Sequence, residues 1–418
     1  MPGGCGGGWG GGKRRLSWVR FPVTMAGDPG FGLRMEPPTL SSWKPDAVRR
    51  PIAVLMSGGV DSSVAAAILR EAGDDAAGFT MKVPGAGADP AKSCCGPDAA
   101  LVCRRLGIPH YFLDASIAFE RLVAGPFRCA YAAGRTPSPC VDCNAFLKFR
   151  AAWDAIESAF GPVRMATGHY ARIVEDAEGR PALARASDLS RDQSYFLYGV
   201  PPERLDRIVF PVGGMRKADV RARAAALGLS PAGKPDSMEI CFAGEGDYRR
   251  TLGPDEAGRL GPILDRAGRV VGTHRGIGLY TVGQRKGLGA PDLARRYVVE
   301  IRPAENAIVV ASREEAFERN VRAGPVRALR PSSLVPGARL LGRIRSPSEP
   351  SPCEVVSASP GEIVVRFGEP QFAPAPGQHL VLYDPDGLVA GGGSIFATGG
   401  VPSESGGGEA KPCRVFSQ

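Results

Sequence analysis

A glycine pair near residue 58 lies between an apolar run and a run of helix-forming residues. Ile52–Met56 predicts a buried strand, Ser57–Ser63 reads Ser-Gly-Gly-Val-Asp-Ser-Ser, and the alanine-rich run Val64–Glu71 predicts a helix. Adjacent glycines let the backbone pass close to an anion, and the free N–H groups and dipole of a helix N-terminus favour negative charge there. The segment is therefore predicted to bind a phosphate group.

This phosphate-binding segment is not of the Walker type. It has no Gly-Lys-Ser/Thr, so it offers no lysine to terminal phosphates, and a GTPase or a kinase is disfavoured. Ser57–Ser63 instead resembles the pyrophosphate loop of ATP pyrophosphatases, which cleave ATP between the α and β phosphates and leave AMP on a substrate oxygen. An ordinary turn of a parallel sheet is the alternative, but strand, glycine pair and helix in this order favour nucleotide binding.

A second candidate site contains two cysteines three residues apart. Thr136–Phe149 reads Thr-Pro-Ser-Pro-Cys-Val-Asp-Cys-Asn-Ala-Phe-Leu-Lys-Phe, so two prolines stiffen a loop that ends in Cys-x-x-Cys at a predicted helix start. The helix dipole is expected to lower the pKa of Cys143 and raise its thiolate fraction, which makes Cys143 a candidate nucleophile. The motif alone equally suits half a zinc site or a structural turn. No second Cys-x-x-Cys or His-x-x-x-His follows, which disfavours structural zinc.

A further cysteine, Cys241, lies in the acidic, glycine-containing segment Pro235–Tyr248. Taken alone, such a cysteine is most often a small core residue. Together with the loop and the cysteine pair, however, this segment belongs to a pattern that resembles the tRNA-specific 2-thiouridylases, a family whose enzymes replace O2 of the wobble uridine by sulfur. The resemblance extends from about Ile52 to Phe396, and its other runs are Ala166–Tyr170, Arg191–Leu197, Tyr280–Gly289 and Pro376–Asp384.

The resemblance implies an ATP site, a cysteine pair and a tRNA surface. The residues that match the family's ATP contacts are Leu55, Met56, Ser57, Gly58, Gly59, Val60, Asp61, Ser62, Met81 and Gly168. Asp61 would lie near a magnesium ion, Cys143 matches the nucleophile, and Cys241 matches the cysteine that carries sulfur as a persulfide. The residues that match tRNA contacts are Ser138, Pro139 and Cys140 at the target base, and His169, Arg191, Asp192, Gln193, Arg345, Ser346 and Gln378 elsewhere.

Two positions depart from the family pattern. Ser138 stands where the family commonly has asparagine, which shortens the side chain at the base contact. The usual basic and aromatic run around Arg345 is replaced by Arg-Ser-Pro-Ser-Glu-Pro-Ser-Pro over residues 345–352. The basic turn Gln284–Lys286 is either a replacement for these RNA contacts or simply a solvated basic turn.

The implied reaction needs both ATP and sulfur. A uridine carbonyl oxygen is a poor leaving group, and its adenylation opens C2 to attack. If a persulfide on Cys241 donates sulfur, Cys143 can attack the inner sulfur and leave a Cys143–Cys241 disulfide, which an external thiol must reduce. A persulfide sulfur-carrier protein or a cysteine desulfurase is then expected as a partner, besides tRNA.

Three alternatives keep part of this pattern. The chain could be an ATP pyrophosphatase that adenylates another substrate, although amide chemistry needs neither Cys143 nor Cys241. It could be an RNA-binding, redox or iron–sulfur sensing protein that holds ATP without catalysis. Finally, Cys140, Cys143 and Cys241 could hold an iron–sulfur cluster whose open iron binds sulfide, so that thiolation needs no persulfide on the protein.

The elements that position these residues alternate between strands and helices. After the first strand, the sequence predicts strands at 75–81, 110–114 and 163–167, and helices at 98–106 and 143–159. This alternation, with the family resemblance, favours an α/β domain with a doubly wound parallel sheet of the adenine nucleotide alpha hydrolase type. Ligands of such sheets lie at the carboxyl ends of the strands, where the loops begin at Ser57, Met81 and Gly168.

From residue 250 onwards, short apolar runs separated by glycine and proline predict a β-rich region. The predicted strands are 261–264, 269–273, 297–301, 307–311, 339–345, 362–367, 379–383 and 391–396. Their spacing favours a small β-rich central domain at 250–311 and a C-terminal β-barrel at 312–396, after a catalytic domain at 49–249. The glycine-rich or polar segments 1–48 and 397–418 are expected to be disordered.

Charge and cysteine usage limit the function classes. The net charge is +9, of which residues 1–50 supply +5 from eight Lys/Arg and three Asp/Glu, so a nucleic-acid partner is permitted without being required. No run of eighteen apolar residues occurs, which argues against a membrane-spanning helix. Ten cysteines in a long chain without a predicted secretory signal favour a reducing compartment, and the cytoplasm is the expected location.

Overall fold

The computed structural model describes residues 32–36, 38, 42–46, 48, 50–84, 97–229, 240–242, 248–289 and 295–398. The strands of the first domain are β1 Arg34–Met35, β2 Ile52–Leu55, β3 Ala76–Lys82, β4 His110–Asp114, β5 Arg164–Thr167, β6 Ala171–Glu175, β7 Pro181–Arg185 and β8 Ile208–Val209. Six of them form one sheet in the order β1-β4-β3-β2-β5-β8, and β6 and β7 form a separate hairpin.

The sheet is parallel except at one edge and is buried on both faces. Strands β4, β3, β2, β5 and β8 run parallel, and β1 pairs antiparallel with β4. Along β2, Ile52 and Val54 pack on one face, Ala53 and Leu55 pack on the other, and all four are buried. The predicted doubly wound parallel sheet is therefore confirmed.

Helices supply the layers on the two faces. The α-helices of the described residues are α1 Val60–Glu71, α2 Pro97–Leu106, α3 Ser116–Phe119, α4 Gly125–Ala132, α5 Pro139–Asp142, α6 Trp153–Phe160, α7 Ser194–Leu197, α8 Lys217–Ala226 and α9 Pro254–Ala257. Two π-helical segments, Glu120–Ala124 and Cys143–Ala152, join α3 to α4 and α5 to α6. Short 3-10 turns are Leu189–Arg191, Pro202–Arg207, Tyr248–Thr251, Ile277–Leu279, Pro303–Glu305, Glu314–Ala316 and Pro331–Ser333.

The expectation of disorder over residues 1–48 is wrong for its described end. Met35 belongs to β1, and the Trp43 side chain lies in the core, with 5% of the residue exposed. The Trp43 indole N–H donates to Asp75 Oδ1 at 2.9 Å, and its ring lies 5.2 Å from that of Phe160. One large aromatic side chain thus anchors a segment whose composition shows no apolar period. Residues 1–31 lie outside the described part.

The central domain is a four-stranded sheet. Its strands are β9 Gly261–Leu264, β10 Val270–His274, β11 Tyr297–Arg302 and β12 Ala307–Ala311. They are ordered β10-β9-β12-β11, and Ile263, Val298 and Ile308 form part of a buried core of their own. The four strands predicted between 261 and 311 are present.

The C-terminal domain is a closed six-stranded barrel. Its strands are β13 Phe317–Ala328, β14 Arg339–Arg343, β15 Ser351–Ala358, β16 Ile363–Phe372, β17 His379–Tyr383 and β18 Val389–Thr398. The order around the barrel is β13-β16-β15-β14-β17-β18, which confirms the predicted barrel. Strands β13 and β15 were not predicted. Of the predicted tail 397–418, only the last two residues of β18 are described.

Within the described ranges, the helices are all too short or too polar to cross a membrane.

Candidate active site

The glycine pair forms the turn between β2 and α1. Gly58 has a φ of +69°, a conformation that favours glycine, and Gly59 precedes the first residue of α1 with extended backbone. Ser57 Oγ lies 3.2 Å from Ser62 Oγ. The Ser62 and Ser63 hydroxyls donate to the carbonyl oxygen of Gly59 at 3.1 and 2.9 Å. These bonds hold the loop against the first turn of α1, whose free N–H groups form the predicted phosphate site.

Gly168 lies so close to this loop that a side chain would not fit. A Cβ atom there would lie 2.5 Å from the backbone nitrogen of Ser62 and 2.6 Å from the carbonyl carbon of Asp61. Gly168 follows β5, and Met81 lies near the end of β3, so both are at the carboxyl edge of the sheet. The fold therefore brings the predicted ATP contacts together around the N-terminus of α1.

Asp61 is held by two side chains from outside the loop. Lys217 Nζ lies 2.8 Å from each carboxylate oxygen, and the Tyr170 hydroxyl donates to Oδ1 at 2.7 Å. Lys217 begins α8, and only 9% of this residue is exposed. A lysine 156 residues further along the chain thus stands beside the loop, which corrects the inference that none is offered there. Its local run, Arg-Lys-Ala-Asp, carries no signal that could have identified it.

Asp61 is the carboxylate that is expected near magnesium, and its surroundings suit a metal ion that binds together with the nucleotide. Among the described residues, no group of three or more His, Cys, Asp or Glu side chains is placed to hold a metal ion. Mg²⁺ commonly takes one or two carboxylates together with phosphate oxygens and water. The Asp61 carboxylate, which binds Lys217 and Tyr170 in this structure, fits such a metal by its chemistry.

The loop before Cys143 rests on the barrel domain. Thr136 N donates to the carbonyl oxygen of Pro376 at 2.7 Å, and Gln378 Nε2 donates to the carbonyl oxygen of Thr136 at 3.0 Å. Between them, Gly377 has a φ of +93°, and a Cβ there would lie 2.9 Å from Thr136 N. Gln378, which sequence matching assigned to tRNA, therefore supports the cysteine loop.

The three residues expected at the target base differ in exposure. Ser138 and Pro139 are buried, whereas solvent reaches Cys140. Protein atoms nevertheless surround Cys140 on most sides, and this desolvation raises its pKa to about 11. Desolvation also raises the pKa of the half-buried Cys143, while the positive charge of Lys148 opposes the shift.

The expected lowering of the Cys143 pKa is therefore wrong. The helix begins at Pro139, so Cys143 lies beyond the first turn, where the dipole has faded and desolvation dominates. Near neutral pH its thiol is protonated in the free protein.

Cys241 lies beside the apolar cluster that packs under the cysteine loop. Its neighbour Phe242 is buried, with its ring 5.3 Å from that of Phe119. Cys143 packs against the same cluster, and Cys241 itself is exposed. The fold thus brings both predicted catalytic segments to one cluster. Most of Pro235–Tyr248 lies outside the described residues, as do Cys5, Cys94, Cys95 and Cys413.

Of the residues matched to tRNA near the loop, three lie next to one another. Gln193 Oε1 accepts from Tyr170 N at 2.9 Å, and Gln193 N donates to the Tyr170 carbonyl oxygen at 2.8 Å. His169 Nδ1 lies 2.7 Å from Thr167 Oγ1, and burial lowers the pKa of His169 well below its usual value. Its imidazole is therefore neutral at pH 7, and Arg191 nearby is exposed.

Asp192 is a buried junction between domains. Its side chain is 0% exposed and accepts hydrogen bonds from Ala186 N, Ser194 N and Ser194 Oγ at 3.1, 3.2 and 2.9 Å. Arg343 Nη1, from the barrel, lies 2.9 Å from the same carboxylate. The carboxylate faces protein, so this structure gives no support to a tRNA contact by its side chain.

Arg345 and Ser346 also make contacts within the protein. Arg345 Nη2 donates to the carbonyl oxygens of Val282 at 3.0 Å and Ala373 at 2.6 Å, and burial lowers the Arg345 pKa. The Ser346 carbonyl oxygen accepts from Arg343. Arg345 therefore links the central and barrel domains.

Family models match the three domains in order. A model described as the tRNA methyl transferase HUP domain matches residues 50–245. A tRNA methyl transferase PRC-barrel domain model matches residues 254–312, and an aminomethyltransferase beta-barrel domain model matches residues 334–395. The matches follow the sheet domain, the central domain and the barrel.

Curated relatives match across all three domains. A tRNA-specific 2-thiouridylase MnmA from Heliobacterium modesticaldum is 41% identical over 356 residues, which cover 82% of this chain and 92% of the relative. One from a Roseiflexus species is 43% identical over 371 residues, covering 82% and 98%. A solved NMN synthetase from Francisella tularensis is 15% identical over 48% of this chain and 71% of that one, with a TM-score of 0.29. Given the identity to these relatives over nearly their whole length, the chain belongs to the tRNA-specific 2-thiouridylase family.

Proposed function

We propose that this chain catalyses the ATP-dependent 2-thiolation of the wobble uridine in tRNA, by adenylation of O2 and sulfur transfer from a cysteine persulfide. A chain of contacts from the loop to the nucleophile supports the proposal. Gly168 packs against Ser62 of the loop, and the ring of its neighbour His169 lies 6.3 Å from that of Phe149. Phe149 belongs to the helical segment that begins at Cys143. This proximity of the loop to the cysteine segment supports a common site for ATP and the thiol.

For the first step, the phosphates of ATP would lie over the N-terminus of α1. Gly58 and Gly59 have no side chains that would obstruct them, and Lys217, which lies 2.8 Å from the Asp61 carboxylate of this loop, would neutralise the departing pyrophosphate. Asp61 would hold a magnesium ion that comes with the nucleotide, and that ion would supply further neutralisation. Uridine O2 attacks the α-phosphorus, and pyrophosphate leaves.

For the second step, the terminal sulfur of a Cys241 persulfide attacks C2, and AMP leaves with the original oxygen. Cys143 then attacks the inner sulfur, which releases the thiocarbonyl sulfur to uridine and oxidises the two cysteines to a disulfide. An external thiol restores both cysteines. The exposure of Cys241 supports this role, since a persulfide-carrying protein or a cysteine desulfurase must reach it.

Methyl transfer, which the descriptions of the domain models name, is supported less well by this site. A pyrophosphate loop close to the segment of one candidate cysteine, with the second cysteine segment packed against the same apolar cluster, suits adenylation followed by sulfur transfer. Re-reduction of the cysteine pair after every turnover requires a reducing compartment, which favours the cytoplasm.

The test is pyrophosphate release that requires tRNA, measured beside thiouridine formation on a mercury gel. Cys143→Ser and Cys241→Ser should each keep ATP binding and lose thiolation, because the thiols act after the nucleotide is held. Cys129→Ser is a matched control, since Cys129 is half-buried in the same domain. Substantial thiolation by either variant would refute the two-cysteine route. Pyrophosphate release that does not depend on tRNA would instead indicate an ATP pyrophosphatase with another substrate.

A further inference from the structure

Two hydrogen-bonded connections run from the segment Asp188–Gln193 to Asp61. At one end, Gln193 holds the backbone of Tyr170 by two bonds of 2.8 and 2.9 Å, and the Tyr170 hydroxyl donates to Asp61 at 2.7 Å. At the other end, Asp188 Oδ2 accepts from Lys217 N at 3.2 Å, and Lys217 Nζ lies 2.8 Å from both Asp61 oxygens. The two ends of one short segment therefore hold the two partners of one carboxylate.

Residues 189–191 of this segment face solvent, whereas Asp192 is buried. Leu189 is 53% exposed, and Ser190 and Arg191 are exposed as well. An exposed turn with an arginine can bind a phosphate of an RNA backbone, whereas its ends are tied to the ATP loop. Movement of the turn would therefore act on both side chains that bind Asp61.

We propose that Asp188–Gln193 couples tRNA binding to the ATP loop through Tyr170, a positioning residue for Asp61, and through Lys217. In the state described here, Lys217 occupies both oxygens of Asp61. Binding of tRNA at the turn shifts the ends of the segment and separates Lys217 from Asp61. Lysine and carboxylate are then both available to the nucleotide. The identity of the two ligands rests on the proposed function.

This coupling has a thermodynamic signature. If tRNA favours the state in which the ion pair is open, it must raise the affinity for ATP, and ATP must raise the affinity for tRNA by the same factor. Couplings of this kind are about 5-fold to 150-fold. We expect a factor of at least about fivefold here.

The experiment measures the Kd of α,β-methylene-ATP with and without tRNA, on the full chain. Tyr170→Phe removes one connection but keeps the buried ring, and Asp188→Asn weakens the other. In the double variant the coupling factor should fall towards one; it is calculated from the Kd values of that variant, which need not equal those of the parent. Matched controls are Tyr280→Phe and Asp265→Asn in the central domain. Asp265 also holds a turn, accepting from Ala267 N and Arg269 N at 2.9 and 3.0 Å, and both controls should keep the coupling of the parent.

Two results would overturn the coupling. One is a parent protein that binds tRNA and the ATP analogue independently, and the other is a double variant with undiminished coupling. Failure of the proposed function gives a different result, namely a parent that does not bind one of the ligands. The coupling factor is a ratio within one variant, so a general loss of stability does not change it.

Discussion

Arg343 Nη1 lies 2.9 Å from Asp192 Oδ2, and the two side chains are 8% and 0% exposed. The pair joins the barrel to the first domain, since Arg343 ends β14 and Asp192 follows the hairpin of β6 and β7. A buried charge is costly without its partner, so each residue depends on the other being present. The contact between these domains therefore contributes to the stability of both domains.

Asp192→Ala is expected to lower the free energy of unfolding by about 3–5 kcal/mol, because it leaves the Arg343 guanidinium buried and unpaired. Urea unfolding measures the change. Glu354→Ala, which breaks an exposed pair with Arg366, is the control and should cost less than about 1 kcal/mol. The double variant Asp192→Ala/Arg343→Met should lose less than the sum of the single losses. Equal losses in Asp192→Ala and Glu354→Ala would contradict this.

Lys217→Met is expected to slow tRNA-dependent pyrophosphate release by about two orders of magnitude, since a preorganised charge beside the leaving group is lost. Asp61→Asn should slow it as well, because magnesium then has no carboxylate at the loop. Lys44→Met serves as the control, since Lys44 is exposed and follows Trp43, whose side chain binds Asp75 just before β3 begins, at the edge of the sheet opposite the loop. If release is unchanged in Asp61→Asn, Asp61 has only a structural part.

The sequence predicted the four central strands of the first sheet, β2 to β5, because these strands are strongly apolar, whereas β1, β6, β7 and β8 were not predicted. Strand β13 was missed because its run, Phe-Glu-Arg-Asn-Val-Arg-Ala-Gly-Pro-Val-Arg-Ala, is polar and contains proline. Strand β15 follows a Ser/Pro-rich stretch and buries only alternate residues such as Cys353 and Val355. These strands owe their structure to pairing across the barrel, which no local signal reports.

Stability should fall as the pH decreases from about 6.5 towards 3, through His379. Burial, aided by the charge of Arg327, lowers the His379 pKa to about 3, and the unfolded chain binds the proton near pH 6.5. Between pH 6.5 and about 3, protonation therefore stabilises the unfolded state by about 1.4 kcal/mol for each pH unit of decrease. Above pH 6.5 this histidine is neutral in both states, so the full stability is present. His110, with a pKa lowered to about 4 by burial, acts in the same direction.

The measurement is the urea midpoint at pH 7.5 and pH 5 for the parent and for His379→Gln. The variant should lose less stability over this interval because one buried histidine no longer titrates. Identical losses in the two proteins would show that His379 is not the group responsible.

Cys140→Ala is expected to keep most of the thiolation, because the persulfide route uses only Cys143 and Cys241. Mercury-gel analysis of tRNA measures the product, and iron is determined in protein purified without oxygen. Iron in the parent, with activity lost in Cys140→Ala, would contradict the persulfide route. It would favour a cluster on Cys140, Cys143 and Cys241.

The candidate site was only partly predictable. The loop and both cysteine segments have local patterns, whereas Lys217 reaches Asp61 only because α8 packs beside α1. Matching by motif assigned Asp192 and Arg345 to tRNA, but their side chains bind partners within the protein. Polar residues with the same sequence pattern can bind RNA or can bind a neighbouring domain, and only the packing of the folded chain distinguishes the two roles.

The bond from Gln378 to Thr136 joins residues 242 positions apart. During synthesis, the sheet domain leaves the ribosome long before the barrel residues that hold its cysteine loop. The loop is therefore completed only when almost the whole chain has been made. A truncated chain that stops before the barrel would contain every residue of the ATP loop and both cysteines, yet it would lack the support that fixes their geometry. Full-length translation is thus a condition for an assembled site.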